Sequence, residues 1–375
     1  MLDIVEENMT TEEIFYQKHL NRVSRSFAFC IARLKAPLRK QIGLSYLICR
    51  LLDTVEDSPW SSPRNQELAY LEFDRFMFEA PSLIEVQNWA ELIPKTGNDG
   101  EEKLLAEADS IFSNFHSLPE VIRQVIRPAV LSMSAGMRYF SKQNSRRGSL
   151  RLRSVQKVNQ YCFFVAGVVG EILTKLVSVQ AADLGLRSSE MKRLSLEDGY
   201  HFGLFLQKVN LLKDQIVDEQ EGRYLVPNRA HVLRSLKKDA HRALQYLLGI
   251  PSQLKEFKMF CAWSLFLGLA SLPQIEKAYN ENEDWQQVYK NLKIPREQAM
   301  ELYSTLEESI ENNSQVVETF NEMISEIWPP GKSALELKST AESPEEDREQ
   351  DIVASLYQGA LSRSQLNNLM FTCEI

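Results

Sequence analysis

"LLDTVEDSPW", residues 51–60, crowds Asp53, Glu56 and Asp57 into five positions. It follows the apolar run YLICRLL and stops at Ser58-Pro59. A residue before proline is pushed out of the helical region, so residues 38–57 read as one long helix ending there. Positions i, i+3 and i+4 share a helix face. One face therefore reads Tyr46, Arg50, Asp53, Asp57, with Glu56 beside it. A spaced acid pair alone proves little, because 51 acids in 375 residues give about 7 such pairs by chance. These acids, however, extend an apolar helix, where charge needs a reason. Like charges on one face also repel unless a cation joins them.

FGLFLQKVNLLKDQIVDEQEGR, residues 202–223, repeats the pattern. Asn210, Asp214 and Asp218 fall at i, i+4 and i+8 after another apolar run, with Lys208 and Lys213 at the flanks and Arg223 beyond. Carboxylates alone would repel a phosphate. Mg²⁺ resolves this, since it takes one or two carboxylates and leaves its other positions to water and phosphate oxygens. Two facing stripes of this kind in an apolar bundle suit a Mg²⁺–diphosphate cluster above a cavity that shields a carbocation from water. A di-metal oxygen site is the rival, but it wants Glu-x-x-His pairs. None occurs at His19, His116, His201, His231 or His241. GxGxxG and GxxxxGK[ST] are absent as well.

The rest of the chain sets the frame. Hydrophobic residues make up 44% and net charge is −8, a globular composition without the basic footprint of a nucleic-acid binder. Helical patterns fall near 65–80, 102–116, 119–142, 155–182, 190–218, 229–248, 251–279 and 295–327, which makes the fold all-α. PKTGNDGEEK, 94–103, reads as a loop. QNSRRGSLRLRS, 143–154, reads as a solvated loop, a flap over an anion or a patch for acidic headgroups. Five cysteines without CxxC spacing, and no leader-like start, point to a reducing, cytoplasmic setting. The apolar run 259–272 is shorter than the roughly 20 residues of a spanning helix. Residues 1–331 form one helical domain in this reading. Residues 332–351 form an acidic disordered linker, and 352–375 a short amphipathic segment.

SRSF (24–27), YLICRLLDTVED (46–57), YCFFVAGVVG (161–170) and GLFLQKVNLLKDQIVDEQEGR (203–223) occur in the order of the blocks of the squalene/phytoene synthase family. The chain resembles that family over about residues 15–330, and DTVED with FLQK looks like its squalene branch. FKMFCAWS (257–264) and NLKIPREQA (291–299) match later blocks more loosely. The resemblance implies an all-α isoprenoid-synthase bundle around an apolar cavity. It implies a Mg²⁺-dependent farnesyl-diphosphate farnesyltransferase of sterol or hopanoid biosynthesis. Two farnesyl diphosphates couple head to head to presqualene diphosphate, which NADPH then reduces to squalene. A sibling reaction without reduction, giving dehydrosqualene, phytoene or hydroxysqualene, is the alternative. A non-catalytic scaffold is disfavoured by both acidic motifs.

By the same resemblance, Asp53, Glu56, Asp57, Asn210, Asp214 and Asp218 serve Mg²⁺. Ser24, Arg25, Arg50, Lys213 and Arg223 hold diphosphate, with Tyr46 and Gln207 beside the substrate. Tyr161 assists proton removal or diphosphate departure. Phe27 and Phe260 face the cation, and Lys293 and Arg296 contact NADPH. Lys213 stands where the family usually has Arg, which keeps charge but loses the bidentate fork. The family's usual eukaryotic C-terminal anchor is not seen. The expectation is a monomeric cytoplasmic enzyme that touches membrane peripherally to release product.

Overall fold

The computed structural model describes residues 9–147, 149–280, 292 and 294–328, without the side chains of Arg25 and 143–147. Lys293 and the segments 332–351 and 352–375 lie outside the described residues. The chain divides into two compact units: the chain to Arg146 with Glu171–Arg187, and Arg147–Gly170 with the chain from Ser188.

The first unit opens with α1 (Thr11–Val23), α2 (Arg25–Ile31) and α3 (Leu38–Asp57). A capping box starts α1: Glu13 N–H donates to the Thr10 hydroxyl and Thr10 N–H to the Glu13 carboxylate. The predicted bounds of α3 hold at both ends. Its apolar run packs inward, with Leu44, Leu47, Ile48, Leu51, Leu52 and Val55 all buried. Next come α4 (Pro63–Phe78), α5 (Leu83–Leu92), α6 (Asp99–Ala106), α7 (Ala108–Ser117) and α8 (Glu120–Arg147). The expected helix at 102–116 is thus two helices, and α6 begins inside the segment read as a loop. Phe112 anchors an aromatic core, 5.7 Å from Phe73, 5.2 Å from Phe76 and 5.8 Å from Trp89 between ring centres. These are edge-on contacts of the favoured kind.

The second unit starts with a feature that has no local sequence signal. β1 (Leu150–Arg151) pairs in parallel with β2 (Arg223–Tyr224). The Arg151 guanidinium lies 3.8 Å from the Tyr224 ring centre. So the arginine-rich stretch is part helix and part strand rather than a plain loop. α9 (Val155–Cys162) runs through one π-turn (Phe163–Gly167) into α10 (Val168–Asp183), which passes into the first unit at Glu171. α11 (Ser188–Met191), α12 (Leu196–Gln220), α13 (Arg229–Gly249), α14 (Lys255–Asn280), α15 (Arg296–Ser309) and α16 (Asn313–Ile327) follow. The helix expected at 295–327 breaks at Ile310–Asn312, where Asn312 caps α16.

Close backbone approach explains the glycines of α12. A Cβ on Gly203 would collide with the Ala166 carbonyl, and one on Gly170 with the Gly199 carbonyl. The π-turn and the start of α10 therefore lie directly on α12. Among the described residues, the segments Val155–Asp183 and Ser252–Asn280 are long and apolar enough to cross a membrane. Within each, 61% of the most apolar window is buried in protein, as in a core helix. Cys30, Cys49, Cys162 and Cys261 are buried and form no disulfide, and burial pushes Cys162 up to about 12.

Candidate active site

Both acidic stripes sit where a helix least favours them. The C-terminal end of a helix carries partial negative charge and prefers cations. α3 ends in Asp53, Glu56 and Asp57 with no basic residue in its last turn. α12 ends in Asp214, Asp218 and Glu219, again with no basic residue in its last turn. Each arrangement is electrostatically costly, and nearby Arg50, Lys213 and Arg223 offset part of that cost.

At the end of α3, side chains of the same unit hold the last carbonyls. The Ser58 hydroxyl donates to the Thr54 carbonyl at 2.6 Å. Trp60 Nε1 donates to the Val55 carbonyl at 2.7 Å, and Gln66 Nε2 to the Val55 and Glu56 carbonyls at 3.3 and 3.4 Å. Asp53 and Glu56 are half-buried and Asp57 is exposed. Their field reaches inward: burial first, then the charges of Glu56, Asp57 and Asp53, push the buried Tyr70 hydroxyl well above its usual range.

The substrate-side residues of this unit gather on the same face. Ser24 is hydrogen-bonded to Tyr46, and the Phe27 and Tyr46 rings lie 5.5 Å apart. Burial pushes Tyr46 up. Arg50 Nη1 lies 3.7 Å from Asp53 Oδ2, and Nη2 lies 2.5 Å from Glu101 Oε1. Burial opposes the Arg50 charge, but Asp53, Tyr46 and Glu101 outweigh it and hold the guanidinium above its ordinary value. Glu101 had no place in the sequence reading.

In the second unit, Asn210 is exposed, while Gln207, Lys213, Asp214 and Asp218 are half-buried along α12. Lys213 Nζ lies 3.5 Å from Asp214 Oδ2. Gly222, with φ of 80°, turns the chain after α12 and delivers Arg223 into β2. Arg223 Nε is 3.7 Å from Asp218 Oδ1, and its Nη2 donates to the Tyr161 hydroxyl at 3.2 Å. Tyr161 is only 2% exposed, one residue before the end of α9 and the π-turn. Phe260 is buried and stacks on Phe257. Arg296 is exposed at the start of α15.

Beside these lies a buried charge cluster that the sequence reading missed. Lys208, fully buried, meets Asp239 Oδ2 at 2.5 Å and donates to the Ser235 hydroxyl at 2.7 Å. Asp239 Oδ1 takes His201 Nδ1 at 2.7 Å. A lysine inside GLFLQKVNLL was the available signal, since a charge on a buried helix needs a partner.

Hard carboxylate oxygens are the right donors for Mg²⁺. Among the described residues, no group of three or more His, Cys, Asp or Glu forms a metal-binding cluster.

An all-α isoprenoid-synthase fold, carrying two acid-ended helices with an arginine at each, defines the class. Residues 20–234 match the squalene/phytoene synthase family, more than half of the chain, and the chain belongs to that family. The squalene synthase of Schizosaccharomyces pombe is 30% identical over 308 residues, 76% of this chain and 62% of the relative. That of Mycosarcoma maydis is 34% identical over 56% of this chain and 34% of its own length. That of Homo sapiens is 30% identical over 56% of this chain and 45% of its own. The chain thus spans between about a third and three-fifths of these relatives. In fold it matches a ligand complex of TcSQS with TM-score 0.63 and 19% identity, covering 93% of this chain and 98% of the other. A dehydrosqualene synthase matches with TM-score 0.52 and 16% identity, covering 80% and 96%.

Proposed function

We propose that the protein is a squalene synthase, joining two farnesyl diphosphates and reducing the product with NADPH. The observation that carries this reading is the doubled motif: a carboxylate stripe at the unfavourable end of an apolar helix, twice, each with an arginine beside it. The curated squalene synthases among its relatives support the squalene branch.

Mg²⁺, taken by Asp53, Glu56 and Asp57 and by Asn210, Asp214 and Asp218, supplies positive charge that helps diphosphate leave. The protein's own groups do the rest. Arg50, Lys213 and Arg223 bind diphosphate oxygens, with Ser24 and Arg25 in support. Exclusion of water around the farnesyl cation would protect it from capture. Aromatic faces of Phe27 and Phe260 stabilise positive charge, with Tyr46 and Gln207 alongside the substrate. The Tyr161 oxygen accepts from Arg223, so its own O–H proton can go to a departing diphosphate oxygen. The first coupling yields presqualene diphosphate, one diphosphate and one proton. The second step releases the other diphosphate and takes hydride from NADPH, giving squalene and NADP⁺. Lys293 and Arg296 are the proposed NADPH contacts. The protein acts as a monomer in the cytoplasm, with peripheral membrane contact for product release.

The test is incubation with farnesyl diphosphate and Mg²⁺, with and without NADPH, followed by hydrocarbon identification. Squalene formed only with NADPH is the expected result. Dehydrosqualene or hydroxysqualene despite NADPH overturns the reductive reading. No turnover of farnesyl or longer diphosphates overturns the enzyme.

A further inference from the structure

Arg50 is held from two sides. Asp53, on its own helix, lies 3.7 Å from Nη1, and Glu101, at the start of α6, lies 2.5 Å from Nη2. Arg50 Nε is buried and makes no hydrogen bond among the described residues. An unpaired buried donor is costly and needs an explanation. A ligand oxygen is one that fits the chemistry, because guanidinium donors match phosphate oxygens.

Glu101 itself is fixed firmly. Its side chain is only 11% exposed. Asn98 Nδ2 donates to its Oε1 at 3.1 Å, the oxygen that also takes Arg50. The same asparagine caps α6, its Oδ1 accepting from the N–H groups of Gly100 and Glu101. Gly100 is packed so closely that a Cβ there would lie 3.0 Å from the Arg22 carbonyl at the end of α1. The carboxylate is therefore clamped to a helix start that is itself pressed against another helix.

We propose that Glu101 is a positioning residue for Arg50, holding the guanidinium so that its unpaired donor meets a diphosphate oxygen of the substrate. The inference rests on the proposed function. Asp53 cannot do this alone, because in that function its charge is shared with Mg²⁺ when substrate binds. Glu101 lies outside the acidic stripe and keeps its grip throughout the cycle.

The experiment is a double-mutant cycle on the full chain, reading inorganic diphosphate binding with Mg²⁺ by calorimetry. Glu101→Ala weakens binding about tenfold, and Glu101→Gln, which keeps an accepting oxygen, about threefold. In an Arg50→Ala background neither change has a further effect. KM for farnesyl diphosphate rises in parallel while kcat stays within about twofold, which a general loss of structure would not produce. Should Glu101→Ala fail to fold, the near-isosteric Glu101→Gln carries the test. Unaltered binding in Glu101→Gln, or an equal loss with Arg50 absent, overturns the positioning role alone. A wild-type chain that binds no diphosphate with Mg²⁺ overturns the proposed function and this inference with it.

Discussion

α3 and α12 are built to one plan and supported in different ways. Each is a long apolar helix that ends in carboxylates. Around the end of α3, support comes mostly from hydrogen bonds of buried and half-buried side chains: Ser58, Trp60 and Gln66 on the carbonyls, and Glu101 on Arg50. α12 instead carries a full charge, Lys208, into the interior, where Asp239 meets it. Its arginine arrives from β2, beyond the helix, and reaches Tyr161 as well as Asp218. The comparison teaches that the acids can be alike in role while the scaffolds fail differently. Loss of a carboxylate should remove turnover equally at both ends. Loss of a supporting group should hurt α12 far more.

The largest effect tests the likeness. Asp53→Asn and Asp214→Asn each remove a charge from a stripe without changing shape. Turnover of farnesyl diphosphate should fall by about 10³-fold or more in both, the scale of losing an electrostatic stabiliser of a departing group. Denaturant midpoints should stay at or above wild type, since each change relieves repulsion at a helix end. One variant retaining a tenth of wild-type activity would break the equivalence.

The next effect tests the difference. Lys208→Met leaves Asp239 buried beside His201 without its main cation. Breaking a buried pair in this way costs about 3–5 kcal/mol. Asp239→Leu added to Lys208→Met should recover most of it, because the pair as a whole returns little net stability. Urea unfolding of the single and double variants measures both numbers. A double variant no better than the single would mean that the cluster does more than neutralise itself.

Much of α3 was legible in the sequence, and the reason is local. Its apolar period and the Ser58-Pro59 stop need no other part of the chain. The two stripes were legible for the same reason, being short-range spacings on single helices. Glu101 was not, because PKTGNDGEEK has a loop's composition. Only the Asn98 cap and the packing of Gly100 on α1 turn its end into a helix start. From the sequence Lys208 reads only as a flank of the stripe, since the partner that buries it lies 31 residues on. The β1–β2 pairing joins residues with no strand-like pattern, and no spacing rule could find it. The breaks at Glu107 and at Ile310–Asn312 were hidden inside continuous helical composition.

Two aspartates, Asp239 buried and Asp74 half-buried, sharpen the contrast further. Burial raises Asp239, but Lys208 and His201 outweigh it and hold its carboxyl below the usual range. Asp74 lies one turn beyond Tyr70 on α4, with Arg138 Nη1 at 3.6 Å. There burial wins over Ser134 and Arg138, and the carboxyl is pushed up to about 6. A folded pKa above the unfolded 3.8 means that the native state binds the proton more tightly. The ionised form is therefore a cost above pH 6, relieved as pH falls from about 6 towards 3.8. The full relief is at most about 3 kcal/mol. Asp74→Asn should be more stable than wild type at pH 7, and the gap should close by pH 4. A gap that does not move with pH would remove Asp74 as the source.

The smallest effect returns to the end of α3. Gln66→Leu keeps the shape of a buried side chain and deletes its donors. The Val55 carbonyl still has Trp60 and Ser141 still has Tyr70, so the main loss is the Gln66 contact with the Glu56 carbonyl. One hydrogen bond of this kind is worth about 1 kcal/mol. The unfolding free energy should drop by about that amount, and the Mg²⁺ concentration for half-maximal turnover should shift by less than about threefold. A loss as large as that of Lys208→Met would show that α3 also hangs on one buried group.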